Sequence, residues 1–114
     1  MKVLVTGGRD FNDWRCVRDT LDEIVDNEPI DLIVHGGATG ADSLAARWAM
    51  NTHTPQQVFK AQWATFGPAA GPVRNGQMVA TKPDLVVAFP GGRGTADCVR
   101  QAKAAGLKVL EVKP

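Results

Sequence analysis

Leu32-Ile33-Val34-His35-Gly36-Gly37-Ala38-Thr39-Gly40-Ala41-Asp42 is the stretch whose reading decides the fold. Three apolar residues run into glycines, and Leu44, Ala45, Trp48 and Ala49 then recur at helical spacing over roughly 40–51. A branched apolar run this short, closed by glycine and followed by an amphipathic segment, suits a buried parallel strand feeding a helix. Thr39 followed by Asp42 has the look of a capping box at the start of that helix.

The same pattern repeats on both sides. Upstream, Val3-Leu4-Val5 closes on Gly7-Gly8, and Trp14, Val17, Leu21, Ile24 and Val25 form one apolar stripe through a helix of roughly 12–27. Downstream, a weaker run over 57–62 with Val58 and Phe59 reads as the third strand. Leu85 to Phe89, stopped by Pro90-Gly91-Gly92, is the fourth, and Leu107 to Val112 the fifth. Helices are expected over 72–81 and 95–105, the latter with Thr95 as N-cap and Gly106 as the C′ residue. The stretch 62–73 holds Trp63, Phe66, Gly67, Pro68, Gly71 and Pro72 and reads as a loop whose aromatics pack over a pocket or a partner. This alternation predicts an α/β, Rossmann-like three-layer domain over residues 1–114: a mostly parallel five-stranded sheet, order 3-2-1-4-5, with helices on both faces.

Composition narrows the function classes. A chain of 114 residues can bury one core without disulfide or metal support. A net charge of +1 gives no field that would draw nucleic acid or membrane non-specifically, so neither is expected as a partner. Cys16 and Cys98 are far apart in sequence and lack C-x-x-C spacing, and no His, Cys and carboxylate cluster has metal-ligand spacing. No metal and no cofactor is therefore expected. No run approaches the roughly 18 apolar residues of a membrane span, and the N-terminus lacks a signal-peptide core. The expected setting is the cytoplasm.

Three expected strands end alike, in GGRDF (7–11), HGGATGAD (35–42) and PGGRGTAD (90–97). In an open α/β sheet, ligands bind at the carboxyl ends of the strands where the winding reverses. Gly7, Gly8, Gly36, Gly37, Gly91, Gly92 and Gly94 would let backbone approach an anion, and Thr95 opens the helix behind them. Arg9, Arg93 and Arg74, the last beside Asn75, would grip phosphate oxygens with their planar guanidinium forks. Asp10 and Asp42 are candidates for ribose hydroxyls, with helix capping the better reading of Asp42. His35 could face the pocket or the core, and His53 reads as an ordinary loop histidine. The chain lacks a P-loop, a dinucleotide fingerprint and a nucleophile elbow.

Four motifs in order, GGRDF, HGGATGAD, AAGPVRNGQM and PGGRGTAD, resemble the YspA-related branch of the SLOG superfamily, over nearly the whole chain. That superfamily includes the LOG phosphoribohydrolases and the DNA-processing protein DprA (Smf). The resemblance implies a Rossmann-like domain, a nucleotide-derived small molecule held largely by its phosphate, and a homodimer or higher oligomer. LOG enzymes cleave the N-glycosidic bond of nucleoside 5′-monophosphates, with R-K-x-x-M and P-G-G-x-G-T-x-x-E elements. Arg74 to Met78 resembles the first and Pro90 to Thr95 the second, but the position of the closing glutamate is Cys98. A thiol cannot stabilise an oxocarbenium-like centre as a carboxylate does. Asp97 is the remaining catalytic candidate, although on a helix it points about 100° from its neighbour. Cys98 near a helix N-terminus could be an activated thiol, but a small core residue is the stronger reading. The leading expectation is a binding module, a sensor or sequestering protein. The alternative is a phosphoribohydrolase using Asp97, and single-stranded DNA handling as in DprA ranks third.

Overall fold

The computed structural model describes all 114 residues. Five strands, β1 (Lys2–Thr6), β2 (Leu32–His35), β3 (Gln56–Val58), β4 (Leu85–Ala88) and β5 (Val109–Glu111), form one sheet in the order β3-β2-β1-β4-β5. Every pairing is parallel, with Val3 opposite Ile33 and Leu85, and Val34 opposite Gln57. The expected order and architecture are those observed. The edge strands are shorter than expected, and the side chains of β3 are exposed throughout, which explains the weak apolar signal there.

The helices are α1 (Trp14–Asn27), α2 (Ala41–Asn51), α3 (Trp63–Phe66), α4 (Ala70–Ala80) and α5 (Arg93–Ala104). Side chains alternate across a strand, so the buried strands feed two cores. Val3, Val5, Ile33 and Val87 pack with Val17, Leu21, Ala45 and Trp48 from α1 and α2. Leu4, Val34 and Val86 pack with Met78, Cys98 and Ala102 from α4 and α5. None of the helices is long and apolar enough to cross a membrane.

Several boundaries depart from the sequence reading. The stretch 62–73 is largely helical: α3 runs through a 3₁₀ turn, Gly67–Ala69, into α4. Pro72 sits third in α4, where its missing N–H would have had no intrahelical acceptor, so the helix tolerates it. Thr95 lies third inside α5, and the N-cap is Gly92. The capping box at α2 does not form. Gly40 is the N-cap, the Thr39 hydroxyl donates to the Arg9 carbonyl at 3.2 Å, and Asp42 turns back to accept from Gly36 and Ala38 N–H at 3.2 Å each. Gly106 does end α5 as expected: at φ +77°, it and Leu107 donate to the Lys103 and Ala102 carbonyls, each at 3.0 Å, closing a Schellman motif.

Candidate functional site

The loops after β1, β2 and β4 meet at the carboxyl edge of the sheet beside a cleft of about 750 Å³. Gly7, Gly8, Arg9, Asp42, Arg74, Asn75, Gly92, Arg93, Gly94, Thr95 and Asp97 line it. Asp10, Gly36, Gly37 and Gly91 do not: Asp10 is exposed, and the three glycines sit where the loops pack closely. The loops are stapled together through Gly8, whose N–H donates to the Pro90 carbonyl at 2.9 Å. Gly91 allows that approach, since a Cβ there would lie 2.7 Å from Gly8 N.

Among the helices that start at this edge, α2 and α5 follow glycine loops directly, and their first turns differ. At α2 the first free donor, Ala41 N–H, is taken by the Gly8 carbonyl at 3.1 Å, and the Asp42 carboxylate covers the loop N–H groups beside it. At α5 no side chain caps the helix and its first turn holds no acidic residue. The first intrahelical donor is Ala96, to the Gly92 carbonyl at 3.0 Å, which leaves the N–H groups of Arg93, Gly94 and Thr95 without helical acceptors. An uncapped N-terminus carries about half a positive charge. The first turn of α5 is therefore left with three free N–H groups and no carboxylate of its own.

Arg74 is held beside it. Its Nη1 donates to the Gly36 carbonyl at 3.0 Å and to the Phe59 carbonyl at 3.4 Å, and its Nε donates to Asn75 Oδ1 at 3.1 Å. This explains Gly36: a Cβ there would lie 2.1 Å from Arg74 Nη1. The glycine makes room for the guanidinium and does not touch the cleft. Burial raises the Asp42 carboxyl above its ordinary value, opposed by the Ala38 N–H, His35, Arg74 and the Gly36 N–H. His35 belongs to the fold: it is buried, its Nδ1 accepts from Gly37 N–H at 3.0 Å, and its Nε2 lies 2.8 Å from Gln56 Oε1. The first contact assigns the ring proton to Nε2.

Asp97 faces the cleft, its side chain 14% exposed, while the next residue, Cys98, is fully buried. The two neighbours diverge as adjacent helical positions do: the α5 face that packs on the sheet runs through Cys98, and Asp97 is turned to the cleft. Both Asp97 oxygens are engaged. Oδ2 accepts from Asn75 at 3.0 Å and Gln101 at 2.8 Å, and Oδ1 pairs with Arg100. Asn75 also donates to the Gly94 carbonyl at 3.1 Å, tying α4 to the first turn of α5. Burial pushes the Cys98 thiol up to about 11, partly offset by a hydrogen bond with Thr6, so it is a core residue and not an activated nucleophile.

Residues 1–66 match the YspA, cpYpsA-related SLOG family. This chain is a member of that family. The SLOG domain is 41% identical over 118 residues to the Gene 61 protein of Mycobacterium phage D29, covering 96% of this chain and 94% of that protein. It superposes on the X-ray structure of DNA processing protein A (DprA) from Streptococcus pneumoniae with a TM-score of 0.79 at 18% identity. That match covers 99% of this chain but 50% of the DprA chain, and it establishes a shared fold.

Two cleft residues of this SLOG domain, Trp63 and Arg100, and one loop glycine behind the cleft, Gly40, escaped the list of expected site residues. Trp63 was expected to pack over a pocket or partner, or with Phe66 to offer an exposed stacking surface, and it lines the cleft with Arg9 Cζ 5.6 Å from its ring centroid. Arg100 stands one helical turn after Asp97, a spacing legible in hindsight. Gly40, at φ +76°, lies against Gly8 and Arg9 and closes the first loop onto the second; only its position in a glycine-rich loop hinted at this.

Proposed function

We propose that this SLOG domain binds a phosphate-bearing nucleotide or nucleotide-derived small molecule, acting as a sensor or sequestering module. The observation that carries the proposal is the first turn of α5: its Arg93, Gly94 and Thr95 N–H groups have no acceptor within the protein and lie at the cleft beside Arg74, whereas at α2 the Gly8 carbonyl takes Ala41 N–H and Asp42 adds a carboxylate. Four guanidiniums, of Arg9, Arg74, Arg93 and Arg100, line the cleft against two carboxylates, of Asp42 and Asp97. Charge-assisted, bidentate contacts of this kind suit phosphate oxygens. Titration calorimetry with AMP, ADP and ribose 5-phosphate tests the reading. At least one should bind, and Arg74→Gln or Arg93→Gln should weaken it roughly tenfold or more, the scale of one lost charged hydrogen bond. Absence of binding across the panel refutes the proposal.

A phosphoribohydrolase reading draws on one observation, the presence of Asp97 in the cleft. Against it, both carboxylate oxygens are already held by neighbours. Release of free base from AMP by the wild type, lost in Asp97→Asn, would support it; release no faster than in a protein-free blank excludes it for this substrate. Handling of single-stranded DNA has less support, given the net charge of +1 and a match to half of DprA. Self-association, which the family resemblance implies, is read by light scattering on the same samples.

A further inference from the structure

Trp63 is the aromatic side chain that the phosphate site leaves without a task. Of the others, Trp48 and Phe89 are buried, Phe11 stacks on Phe89 with centroids 5.5 Å apart, Trp14 carries Arg47 at 4.1 Å, and Phe59 and Phe66 lie outside the cleft lining. Trp63 is the one aromatic residue lining the cleft, and it is 49% exposed. It is also held in place. Helix α3 passes through a single 3₁₀ turn into α4, which carries Arg74, and the indole Cη2 lies beside Gly71, where a Cβ would be 3.6 Å away.

We propose that Trp63 is a base-stacking wall, selecting ligands that carry a nucleobase over simple sugar phosphates, with the Arg9 guanidinium closing on the other face of the base. The proposal rests on the phosphate site at α5, with which Trp63 shares one continuous cleft. The spacing of the two side chains supports it. Flat groups in contact lie about 3.5 Å apart, so a base between indole and guanidinium needs about 7 Å. Arg9 Cζ is 5.6 Å from the ring centroid, too far for contact stacking and short of a full sandwich. An outward movement of about 1.5 Å admits a base. Arg9 is exposed and its side chain forms no ion pair or hydrogen bond within the protein, so this movement gives up only its place over the Trp63 ring, which the base would take. Aromatic and guanidinium planes are the surfaces on which unpaired bases stack, and such stacking tolerates any base because each has a π face.

Calorimetric titration of the full chain with AMP and with ribose 5-phosphate, in wild type, Trp63→Ala and Trp63→Phe, tests this. The wild type should bind AMP about tenfold more tightly than ribose 5-phosphate, the scale of one stacked base. Trp63→Ala should remove most of that preference and leave ribose 5-phosphate affinity within about twofold, and Trp63→Phe should keep most of it. Quenching of indole emission by AMP should disappear in Trp63→Phe, although Trp14 and Trp48 remain. If ribose 5-phosphate binds and the base adds nothing, or the preference survives in Trp63→Ala, the stacking wall is overturned and the phosphate site stands. If neither compound binds, both proposals fall. An unchanged Tm for Trp63→Ala excludes misfolding as the cause of lost preference.

Discussion

Replacing Gly36 by alanine should dislodge Arg74, and the structure sets the size of the effect. The added Cβ would lie 2.1 Å from Arg74 Nη1, 2.6 Å from its Cζ and 3.0 Å from Asp42 Oδ2. Non-bonded heavy atoms settle at about 3.5–4.0 Å, so the guanidinium must retreat by more than 1 Å. That breaks the bond to the Gly36 carbonyl at 3.0 Å and the weaker one to Phe59 at 3.4 Å. A hydrogen bond to a charged group contributes about 1.5–3 kcal/mol, but a displaced guanidinium is partly resolvated in the open cleft, so the net loss should be about 1–3 kcal/mol. With unfolding entropy near 2.1 cal/mol/K per residue, this lowers Tm by roughly 4–12 °C. Calorimetric or circular-dichroism melting measures it, and a double-mutant cycle assigns the cause: in an Arg74→Ala background the same glycine replacement should cost well under half as much. An equal cost in both backgrounds would refute the idea that Gly36 exists to admit Arg74.

Gly40→Ala should be more damaging, by roughly 3 kcal/mol or more, because its Cβ meets immobile backbone at positive φ. The φ is +76° and the Gly8 carbonyl oxygen would be 2.1 Å away; urea unfolding measures the loss, and a cost below that of Gly36→Ala would contradict the reasoning. Burial raises the Asp42 pKa in the folded state, so its contribution to stability is fully present below its ordinary value of 3.8 and is lost as pH rises through the higher folded value. The stability of wild type relative to Asp42→Asn should therefore fall as pH climbs through that window, and a rising difference would show the sign to be wrong. Iodoacetamide at pH 8 should label Cys16, which is partly exposed, well before Cys98, whose thiol is buried and pushed up to about 11. Equal labelling rates by mass spectrometry would place Cys98 outside the core.

The sequence by itself determined the sheet, its order and the edge on which the glycine loops gather. Those features rest on local signals: short apolar runs such as Val3-Leu4-Val5 and Leu32-Ile33-Val34, glycines where a strand must turn into a helix, and apolar stripes at helical spacing. It also marked Arg74, Asn75 and the first turn of α5, which line the cleft. It could not rank the three loops, because their differences come from partners distant in the chain. The Gly8 carbonyl takes the first N–H of α2 from 33 residues away, Arg74 reaches 38 residues back to Gly36, and Asn75 reaches 19 forward to Gly94. Which of Asp97 and Cys98 would face the cleft was likewise undecided by spacing alone, since the face of α5 that meets the sheet is set by packing against Leu4, Val34 and Val86. His35 stayed ambiguous until Gln56, on the neighbouring strand, supplied its partner. Propensity and periodicity act within a turn or two of chain. Which helix end remains open to a ligand depends on which donors the rest of the molecule has already satisfied, and only the tertiary structure decides that.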